Sequence, residues 1–429
     1  MKLLRFGTPG FARYLASLPR SSAPRADVER AVARVLDDVR HSGDAGVLRA
    51  TRRFDRVRLT RASLRVRPAE LRALARRVDR KVVEALREMA ARIEAFHRRQ
   101  KSAGFRMRLG DGSRLEEIVR PLDSVGLYVP GGAGAYPSSV LMTAIPARVA
   151  GVPRIAVVTP PKTLEANAAV AAALVIAGVE GAVFRIGGAQ AIAALAYGTR
   201  TVPAVAKIVG PGNAFVAMAK RQLRGVVEID NDAGPSEVVV LADASADARF
   251  VAADLLAQAE HGSGEETAVL VTTSEALGAE VLRLMGDGLG SVANRAAARR
   301  ALSRNGAIVL VRDLDEGVAA VNALAPEHAQ VMTRSADSVA RRLVAAAVFV
   351  GAFSPAAVGD YGIGPNHVLP TGGTARRASP LSVRDFERRS SLVWMTRLGL
   401  GRVASGMLAV ARAEGFSGHA QSLLMRFEA

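Results

Sequence analysis

The sequence predicts an α/β fold with two parallel-sheet units and two smaller, mainly helical extra domains. From about residue 124, short apolar runs rich in β-branched residues alternate with longer segments of helical periodicity. This alternation is typical of parallel strands joined by helices. The pattern runs over about 124–236 and starts again at 237. The repeat is too weak to identify a duplication, but it indicates two similar units.

The elements follow in order. In the first series, strands are predicted at 125–129, 154–158, 182–186 and 207–210, with helices at 139–151, 164–178 and 189–198. In the second series, strands are predicted at 237–242, 267–273 and 307–311, with helices at 253–262, near 275–285 and near 294–302. The strand runs are short and almost entirely apolar, which favours strands buried on both faces.

The flanking segments have a different character. Residues 25–100 have helical periodicity around the apolar stretch 57–67, which could add a strand. The segment 354–382 is rich in Gly and Pro, and long segments of this kind inside compact domains are often functional. The last 45 residues, from about Asp385, have an amphipathic helical pattern and are too few to form a core alone. They are therefore expected to pack against another domain or another subunit.

The composition excludes several classes of protein. With 429 residues, 49% of them hydrophobic and 23% charged, the chain has the composition of a globular protein of several domains. There is no cysteine, so disulfides, thiolate metal sites and a cysteine nucleophile are excluded. The N-terminus lacks a signal-peptide pattern, and no apolar run approaches about 18 residues. We therefore expect a cytoplasmic protein that does not bind a membrane.

A net charge of +18 raises the question of nucleic-acid binding. The basic residues are mostly arginines spread along helical stretches such as 71–100, and aromatic residues make up only 4% of the chain. Single-stranded nucleic acids are usually bound by aromatic side chains among basic ones. We therefore interpret the arginines as solvated helix surface and predict no nucleic-acid partner.

The histidines are the most informative residues for chemistry. The chain has six, and four of them lie in its C-terminal half, each in a short polar cluster. These four are His261, His328, His367 and His419. A single histidine is more often a hydrogen-bonded structural residue, but four such clusters favour a metal or proton-transfer centre. Without cysteine, the ligands of any transition metal must be nitrogen and oxygen atoms.

Three of the clusters pair histidine with a second functional group. Gln258 and His261 lie three apart on a predicted helix, so both side chains could bind one ion from the same face. Glu327 and His328 are adjacent in a predicted loop after Pro326, where they could divide acid and base work between substrate and water. A third pair, Asp360 and His367, brackets a Gly-rich turn in which Asp360 could also act only as a cap. Because the three pairs are separated by tens of residues, any site that they form must be assembled by the fold.

Three glycine-containing segments follow predicted strands, at 128–139, 185–191 and 209–213. Ligands of open α/β sheets bind beyond the carboxyl ends of the strands, so these loops could form one nucleotide site. The chain contains no GxGxxG sequence. The residues alone therefore leave a dinucleotide site open.

Several long strings of the chain resemble the histidinol dehydrogenase family in the order of that family. They are YVPGG..AYPSSVLM.AIPA.VAGV, GGAQAIAALAYGT, KIVGPGN, AGPSEVVVLAD, DLLAQAEHG, PEH, GDYGIGPNHVLPTGGTAR and EGFSGHA.S...R, and IEAFHRRQ at 93–100 resembles the N-terminal part. The resemblance implies oxidation of L-histidinol through L-histidinaldehyde to L-histidine, with NAD used twice and one zinc ion per subunit. It also implies two incomplete Rossmann-like units, which accounts for the missing fingerprint.

The resemblance assigns roles residue by residue. It implies that the zinc ligands, which also contact the substrate, are Gln258, His261, Asp360 and His419. It implies that His328 is the base of both hydride transfers and that Glu327 activates the water that hydrates the aldehyde. The further substrate contacts that it implies are Ser236, His367 and Glu414, together with His328. The NAD contacts that it implies are Tyr128, Gln190 and Asn213.

The resemblance also implies a homodimer with shared active sites, in which Glu414 and His419 complete the site of the partner. The domain division predicted on this basis has four parts. Residues 26–123 and 237–320 form a first Rossmann-like domain, 124–236 form a second that carries the NAD loops, 1–25 and 321–380 form a smaller domain with catalytic and metal loops, and 381–429 form a helical tail.

The chain departs from the family pattern at two places, and three other functions remain open. Ala206 replaces an Asp that often precedes the Lys of KIVGPGN, and Asn231 and Asp232 replace an apolar residue and a proline before Ser236. These changes concern affinity more than chemistry. One alternative is a related zinc and NAD enzyme for another small alcohol, such as a sulfonated diol. The others are a zinc hydrolase and a basic nucleic-acid-binding protein.

Overall fold

The computed structural model describes residues 1–19, 26–131, 136–231 and 234–428. These residues fall into two compact units. The first consists of Met1–Gln100 and Leu122–Phe386, and the second of Lys101–Pro121 and Glu387–Ala429.

The strands and helices are numbered in chain order. The strands are β1 (Lys2–Arg5), β2 (Arg65–Val66), β3 (Phe105–Arg108), β4 (Arg114–Pro121), β5 (Val125–Tyr128), β6 (Ile155–Thr159), β7 (Val183–Arg185), β8 (Lys207–Val209), β9 (Glu228–Ile229), β10 (Glu237–Ala242), β11 (Thr267–Thr272), β12 (Ala307–Leu310), β13 (His328–Met332), β14 (Ala347–Val350) and β15 (Glu387–Trp394). The helices are α1 (Pro9–Ser17), α2 (Ala26–Ser42), α3 (Asp44–Phe54), α4 (Arg61–Leu64), α5 (Pro68–Ala75), α6 (Arg80–Arg98), α7 (Pro137–Ala150), α8 (Thr163–Ala166), α9 (Ala168–Ile176), α10 (Gly188–Tyr197), α11 (Ala214–Gln222), α12 (Ala248–Ala259), α13 (Glu275–Gly288), α14 (Arg295–Arg304), α15 (Leu314–Leu324), α16 (Ala336–Ala340), α17 (Ala357–Asp360), α18 (Arg397–Ala413) and α19 (Ser417–Glu428).

The first unit contains two six-stranded sheets, which confirms the predicted α/β class with parallel strands. One sheet, called here the β10 sheet, has the order β1-β12-β11-β10-β13-β14 and is parallel throughout. The other, called here the β5 sheet, has the order β2-β7-β6-β5-β8-β9 and is parallel except where β2 joins β7. The side chains of β10, β11 and β12 are buried along their full length, as expected for strands covered on both faces.

Local signals define where the helices of the first unit begin and end. Asp247 caps α12, Asp313 caps α15 and Asn213 caps α11, each through a side-chain oxygen that accepts from the first turn. Helix α7 ends at Ala150 and is capped by Gly151, whose φ of 95° lies in the left-handed region. The predicted helix 164–178 is two helices, α8 and α9, because Asn167 leaves the helical conformation and caps the second one.

The second unit has its own three-stranded antiparallel sheet, in the order β15-β4-β3, followed by α18 and α19. The prediction of an entirely helical segment after Asp385 is therefore wrong for β15. An eight-residue pairing with β4 takes 387–394 into a sheet, and this long-range pairing is invisible to local periodicity.

The sheets divide the chain differently from the four predicted domains. Segment 65–66 joins the β5 sheet, although 26–123 was expected to accompany 237–320. Both β1 and the strands β13 and β14 extend the β10 sheet, although 1–25 and 321–380 were expected to form a smaller domain. The physical reason is that sheet membership depends on backbone pairing between distant segments. Residues 20–25 lie outside the described part of the chain.

Among the helices in the described ranges, none is long and apolar enough to cross a lipid bilayer.

Candidate active site

One cleft of the first unit, with a volume of about 320 Å³, gathers half of the predicted site residues. Its lining comes from both parallel sheets and from the loop after α17. The residues are Pro130, Tyr136, Ser139, Gly210, Pro211, Gly212, Asp230, Asn231, Gly234, Ser236, His261, Glu327, His328, Asp360, His367, Val368, Leu369 and Thr371. The β5 sheet contributes residues that follow the carboxyl ends of its strands, whereas the β10 sheet contributes residues at the amino ends.

The amino ends of β10 and β13 hold the Glu327–His328 pair by reciprocal hydrogen bonds. The Glu327 Oε2 atom accepts from Ser236 Oγ at 2.5 Å and from the Glu237 backbone N–H at 3.0 Å. In return, a Glu237 carboxylate oxygen accepts from the Glu327 N–H at 3.2 Å. The His328 Nδ1 atom lies 3.0 Å from the Glu237 carbonyl oxygen, which can only accept. The Nδ1 atom therefore carries the proton, and Nε2 keeps its lone pair.

The prediction that Glu327 and His328 share a loop needs a correction, because His328 is the first residue of β13. Both side chains are buried, and burial decides their protonation. Burial raises the pKa of Glu327 from 4.5 to about 7, against the opposing hydrogen bonds from Ser236 and Glu237. Burial also lowers the pKa of His328. Near neutral pH, a neutral imidazole therefore lies beside a carboxyl group that can exist in either state.

His261 lies just beyond α12 and not on its last turn, contrary to the prediction of a shared helical face. The helix ends at Ala259 because the backbone turns toward Gly262, whose φ is 107°. The His261 Nδ1 atom lies 3.0 Å from the Gln258 carbonyl oxygen, so the chain folds back over the helix end. The side chain of His261 is exposed in the cleft, whereas Gln258 is buried at the end of α12.

Asp360 and His367 come from the Gly-rich segment, which packs on α6. Asp360 ends the short helix α17, and its Oδ1 atom lies 3.8 Å from His367 Nδ1. The guanidinium of Arg92 donates to the Gly362 carbonyl at 3.0 Å. Burial raises the pKa of Asp360 against the attraction of His328 and His261, and burial lowers the pKa of His367 from 6.5 to about 4.

The predicted metal ligands have the right chemistry for a divalent cation, but the first unit supplies only three of the four. Gln258, His261 and Asp360 offer an amide oxygen, an imidazole nitrogen and a carboxylate, which suit a borderline cation such as zinc. The Gln258 Nε2 atom is buried without a hydrogen-bond partner, so this amide is not committed to another side chain in the described structure. Within the described ranges, no group of three or more His, Asp or Glu side chains is close enough to hold a metal.

Two predicted metal and substrate residues, Glu414 and His419, belong to the second unit. Glu414 is the C-cap of α18, and His419 lies in α19 with its ring stacked on Phe416 at a centroid distance of 4.8 Å. Both side chains are exposed. The six predicted metal and catalytic residues thus divide between five in the first unit and His419 in the second.

The three predicted NAD contacts occupy the carboxyl side of the β5 sheet. Tyr128 ends β5, and its hydroxyl oxygen accepts from the Gly188 N–H at 3.2 Å. Gln190 is buried in the first turn of α10 and donates to Asp55 at 3.1 Å. Asn213 is exposed, and its Oδ1 atom accepts from two N–H groups at the start of α11. Residues 132–135 of the predicted loop lie outside the described part of the chain.

The departures from the family pattern have partners of their own. The Asn231 amide donates to the Ser379 carbonyl at 3.0 Å, while Asp232 lies outside the described residues. The Ala206 backbone N–H donates to Ser124 Oγ at 3.1 Å. Lys207 pairs with Asp385, 3.3 Å away.

Several polar residues of the site were not recognised from the sequence. Glu237 stands as a charged residue at the head of an otherwise apolar strand, which was an available signal. A buried ion pair joins Lys220 and Asp230, and both partners hold the Gly210 peptide: Lys220 donates to its carbonyl at 2.9 Å, and Asp230 accepts from its N–H at 2.6 Å. No local pattern in the sequence distinguishes this pair from surface charges.

Comparisons with known proteins extend over the full length of the chain. A family model for histidinol dehydrogenase matches residues 18–427. A histidinol dehydrogenase of Gluconobacter oxydans is 47% identical over 433 residues, covering 100% of both chains, and one of Syntrophotalea carbinolica is 44% identical over 430 residues, covering 100% of this chain and 99% of the relative. The crystal structure of histidinol dehydrogenase from Elizabethkingia anophelis superimposes with a TM-score of 0.93 at 31% identity, covering 100% of this chain and 98% of the other. The matched range includes every residue of the candidate site.

Proposed function

The chain belongs to the histidinol dehydrogenase family, and from this premise we propose that it oxidises L-histidinol through L-histidinaldehyde to L-histidine, with NAD as hydride acceptor and one zinc ion per subunit. The observation that carries this proposal is the buried Glu327–His328 pair, which shares one cleft with His261 and Asp360. The pair combines a neutral base and a carboxyl group with a pKa near 7, the two groups that alcohol oxidation and aldehyde hydration require.

His328 accepts the alcohol proton while hydride leaves the carbinol carbon for NAD. Its Nδ1–H is held by the Glu237 carbonyl, so Nε2 is the accepting atom. The lowered pKa keeps the imidazole neutral before each transfer. After Nε2 has released this proton to solvent, the same atom accepts a second proton when the hydrated aldehyde loses its hydride to NAD.

Glu327 activates the water that adds to the aldehyde between the two hydride transfers. In its ionised form, the carboxylate takes a proton from this water as the carbon–oxygen bond forms. Because the pKa of Glu327 is near 7, both the accepting and the donating form are populated near neutral pH. Ser236, whose Oγ contacts the carboxylate, keeps the group oriented in the cleft.

Zinc would be held by Gln258, His261, Asp360 and His419. When bound, zinc supplies a Lewis acid that orients the amino and imidazole nitrogens of histidinol. Asp360 supports this assignment, because its half-buried carboxylate lines the same cleft as His261 and lies 3.8 Å from His367. His367 lies beside Asp360 and, with Ser236 and Glu414, would contact the substrate.

NAD would bind at the carboxyl side of the β5 sheet, near Tyr128, Gln190 and Asn213. Helices α10 and α11 begin there, and helix N-termini favour phosphate groups. The buried Tyr128 and Gln190 would shape the turn at Gly188 more than touch the cofactor with their side chains, whereas the exposed Asn213 can reach it.

We also propose a homodimer in which the second unit completes the site of the partner with Glu414 and His419. This unit leaves many large apolar side chains exposed, which is typical of an interaction surface. They are Phe105, Met107, Leu109, Val393, Trp394, Met395, Leu398, Val403, Met407, Val410, Phe416 and Met425.

The decisive experiment measures NADH formation by the purified protein with histidinol and, separately, with a sulfonated diol. We expect two NADH per histidinol, little turnover of the diol, and loss of activity on chelation that zinc restores. Turnover of the diol without turnover of histidinol would favour the related alcohol dehydrogenase. Hydrolysis without NADH would favour the zinc hydrolase.

The dimer is tested by subunit exchange between two inactive chains. One carries Glu327→Gln with His328→Asn, and the other carries His419→Ala. Shared sites predict recovered activity of at most about half that of wild type per heterodimer, because only one of two equivalent sites is intact. Verified exchange without recovered activity would show that the tail serves its own subunit.

A further inference from the structure

Strand β13 presents alternate side chains to the two faces of the β10 sheet. His328, Gln330 and Met332 are paired in register with Val238, Val240 and Ala242 of β10. The apolar side chains among these six belong to one core cluster, which also contains residues of α12. The members from the strands are Val238, Val240, Ala242 and Met332, and those from α12 include Val251, Leu255 and Ala259. Side chains of a strand alternate between faces, so Gln330 points toward α12, as His328 does. Val331 packs in the cluster on the opposite face.

Gln330 is fully buried and bonded to α12 through only one end of its amide. Its Nε2 atom donates to Asp254 Oδ2 at 2.7 Å. Its Oε1 atom is buried without a hydrogen-bond partner. An ionised carboxylate can only accept, so Asp254 fixes the amide with nitrogen toward itself and leaves oxygen as the free end.

Gln258 lies one helical turn after Asp254 and also has a buried amide atom without a hydrogen-bond partner. Positions four apart on a helix share a face, so Gln258 lies above Asp254 on the side that meets β13. Gln258 is buried, and its Nε2 atom is a donor without an acceptor. A buried donor or acceptor without a partner destabilises the folded state, because it has lost its hydrogen bonds to water. Gln258 Nε2 is an unpaired donor and Gln330 Oε1 is an unpaired acceptor, so one hydrogen-bonded connection between them would satisfy both atoms.

We propose that Gln330, held by Asp254, is a positioning residue for Gln258. The Gln330 Oε1 atom accepts from Gln258 Nε2 through one bridging water molecule, because the two atoms form no direct hydrogen bond. The nitrogen end of Gln258 is then occupied, and its oxygen end is directed to the cleft, where only oxygen can ligate a divalent cation. The Asp254–Gln330–Gln258 relay thus orients one of the proposed zinc ligands, and this inference rests on the proposed function.

The test measures zinc affinity of the full-length protein by competition with a chelating dye. Gln330→Leu has a similar volume and removes both amide groups. We expect its zinc affinity to fall by about 10–100-fold, as is typical when an outer partner of a metal ligand is lost. The matched control is Val331→Ala on the opposite face of the same strand, which weakens the fold but should retain wild-type zinc affinity.

A double-mutant cycle separates orientation of Gln258 from general support of the strand. If Gln330 acts through Gln258, adding Gln330→Leu to Gln258→Ala should cause no further loss of zinc affinity. Losses that multiply, or a Gln330→Leu protein that binds zinc like wild type, would overturn the inference. If Gln330→Leu does not fold, Asp254→Asn serves instead, with a smaller loss that again disappears in the Gln258→Ala background. A wild-type protein that does not bind zinc would overturn the proposed function itself.

Discussion

The two parallel sheets of the first unit contribute opposite ends of their strands to the cleft. The β5 sheet contributes the residues after its carboxyl ends, such as Pro130, Gly210 and Gly212. The β10 sheet contributes the residues at its amino ends, such as Glu327 and His328. Ligand sites of open α/β sheets normally lie at carboxyl ends, so only the β5 sheet follows the general rule.

The difference has an electrostatic consequence. Helices α10 and α11 begin where β7 and β8 end, so their positive N-termini lie at the carboxyl side of the β5 sheet. Helices α12 and α15 end before β11 and β13 begin, so their negative C-termini lie at the amino side of the β10 sheet. The carboxyl ends of the β5 sheet, called here the β5 edge of the cleft, therefore favour an anion such as a pyrophosphate. The amino ends of the β10 sheet, called here the β10 edge of the cleft, favour a cation.

The two edges also differ in how they present chemical groups. At the β5 sheet, glycines and prolines bring the backbone itself to the cleft, with Lys220 and Asp230 holding the Gly210 peptide from below. At the β10 sheet, ionisable side chains face the cleft, and backbone groups of Glu237 hold them. The proposed function therefore assigns acid–base chemistry to the amino ends of the β10 sheet and cofactor binding to the carboxyl ends of the β5 sheet.

The largest expected effects come from the ionisable pair of the β10 edge. His328→Asn should slow the oxidation of histidinol and of histidinaldehyde alike, by about 10²–10⁴-fold, because one base serves both transfers in the proposed mechanism. Glu327→Gln should slow mainly the aldehyde half-reaction. Single-turnover NADH formation from each substrate measures both effects. Equal damage to both half-reactions by Glu327→Gln would contradict the division of roles.

The next effect concerns the ion pair beneath the β5 edge. Asp230→Asn leaves the buried Lys220 without its counter-charge and should cost about 3–5 kcal/mol of unfolding free energy. Lys220→Met combined with Asp230→Asn should recover much of this loss, since the asparagine oxygen can still accept from Gly210. Denaturant unfolding gives the free energies. If the two edges act separately, any loss of NAD affinity in the double variant should leave its zinc affinity unchanged. A fall in both affinities would contradict this separation.

The third effect is a pH dependence of stability that Glu327 creates in chelator-treated protein. Its pKa is 4.5 when unfolded and about 7 when folded, so the folded chain holds the proton more tightly. This stabilisation is complete below about pH 4.5 and is lost as the pH rises through about 7. Relative to wild type, Glu327→Gln should therefore gain up to about 3 kcal/mol between pH 4.5 and pH 8. A pH-independent difference between the two proteins would show that burial does not control this carboxyl group.

The smallest effect separates two roles of Asn213 at the β5 edge. Asn213→Ala removes the cap of α11 and should cost about 1 kcal/mol of stability. Asn213→Asp keeps the capping oxygen but loses the amide nitrogen, so it should retain stability and weaken NAD binding. Thermal unfolding and NAD titration measure the two properties. Unchanged NAD affinity in Asn213→Asp would remove this residue from the proposed cofactor contacts.

Local sequence patterns predicted the central strands of both parallel sheets, but they missed β1, β13 and β14 of the β10 sheet and the antiparallel sheet of the second unit. The predicted strand 237–242 coincides with β10, because a short run of buried β-branched residues has few other conformations available. His261 was expected on a helix that ends before it, because the turn at Gly262 decides where α12 stops. Glu237, Asp254 and Gln330 were missed, since each becomes part of the site only through a partner far away in sequence.

The sequence by itself determined the chemistry that is available and the types of element that carry it. Without cysteine, and with histidines in polar clusters, only nitrogen and oxygen donors could form the site. The motifs also determined the family. Only the tertiary structure decided that strand segments 2–5 and 65–66 join different sheets, and that one sheet meets the cleft by its amino ends. The physical reason is that propensity and hydrophobic period act over a few residues, whereas strand pairing and burial depend on segments hundreds of residues apart.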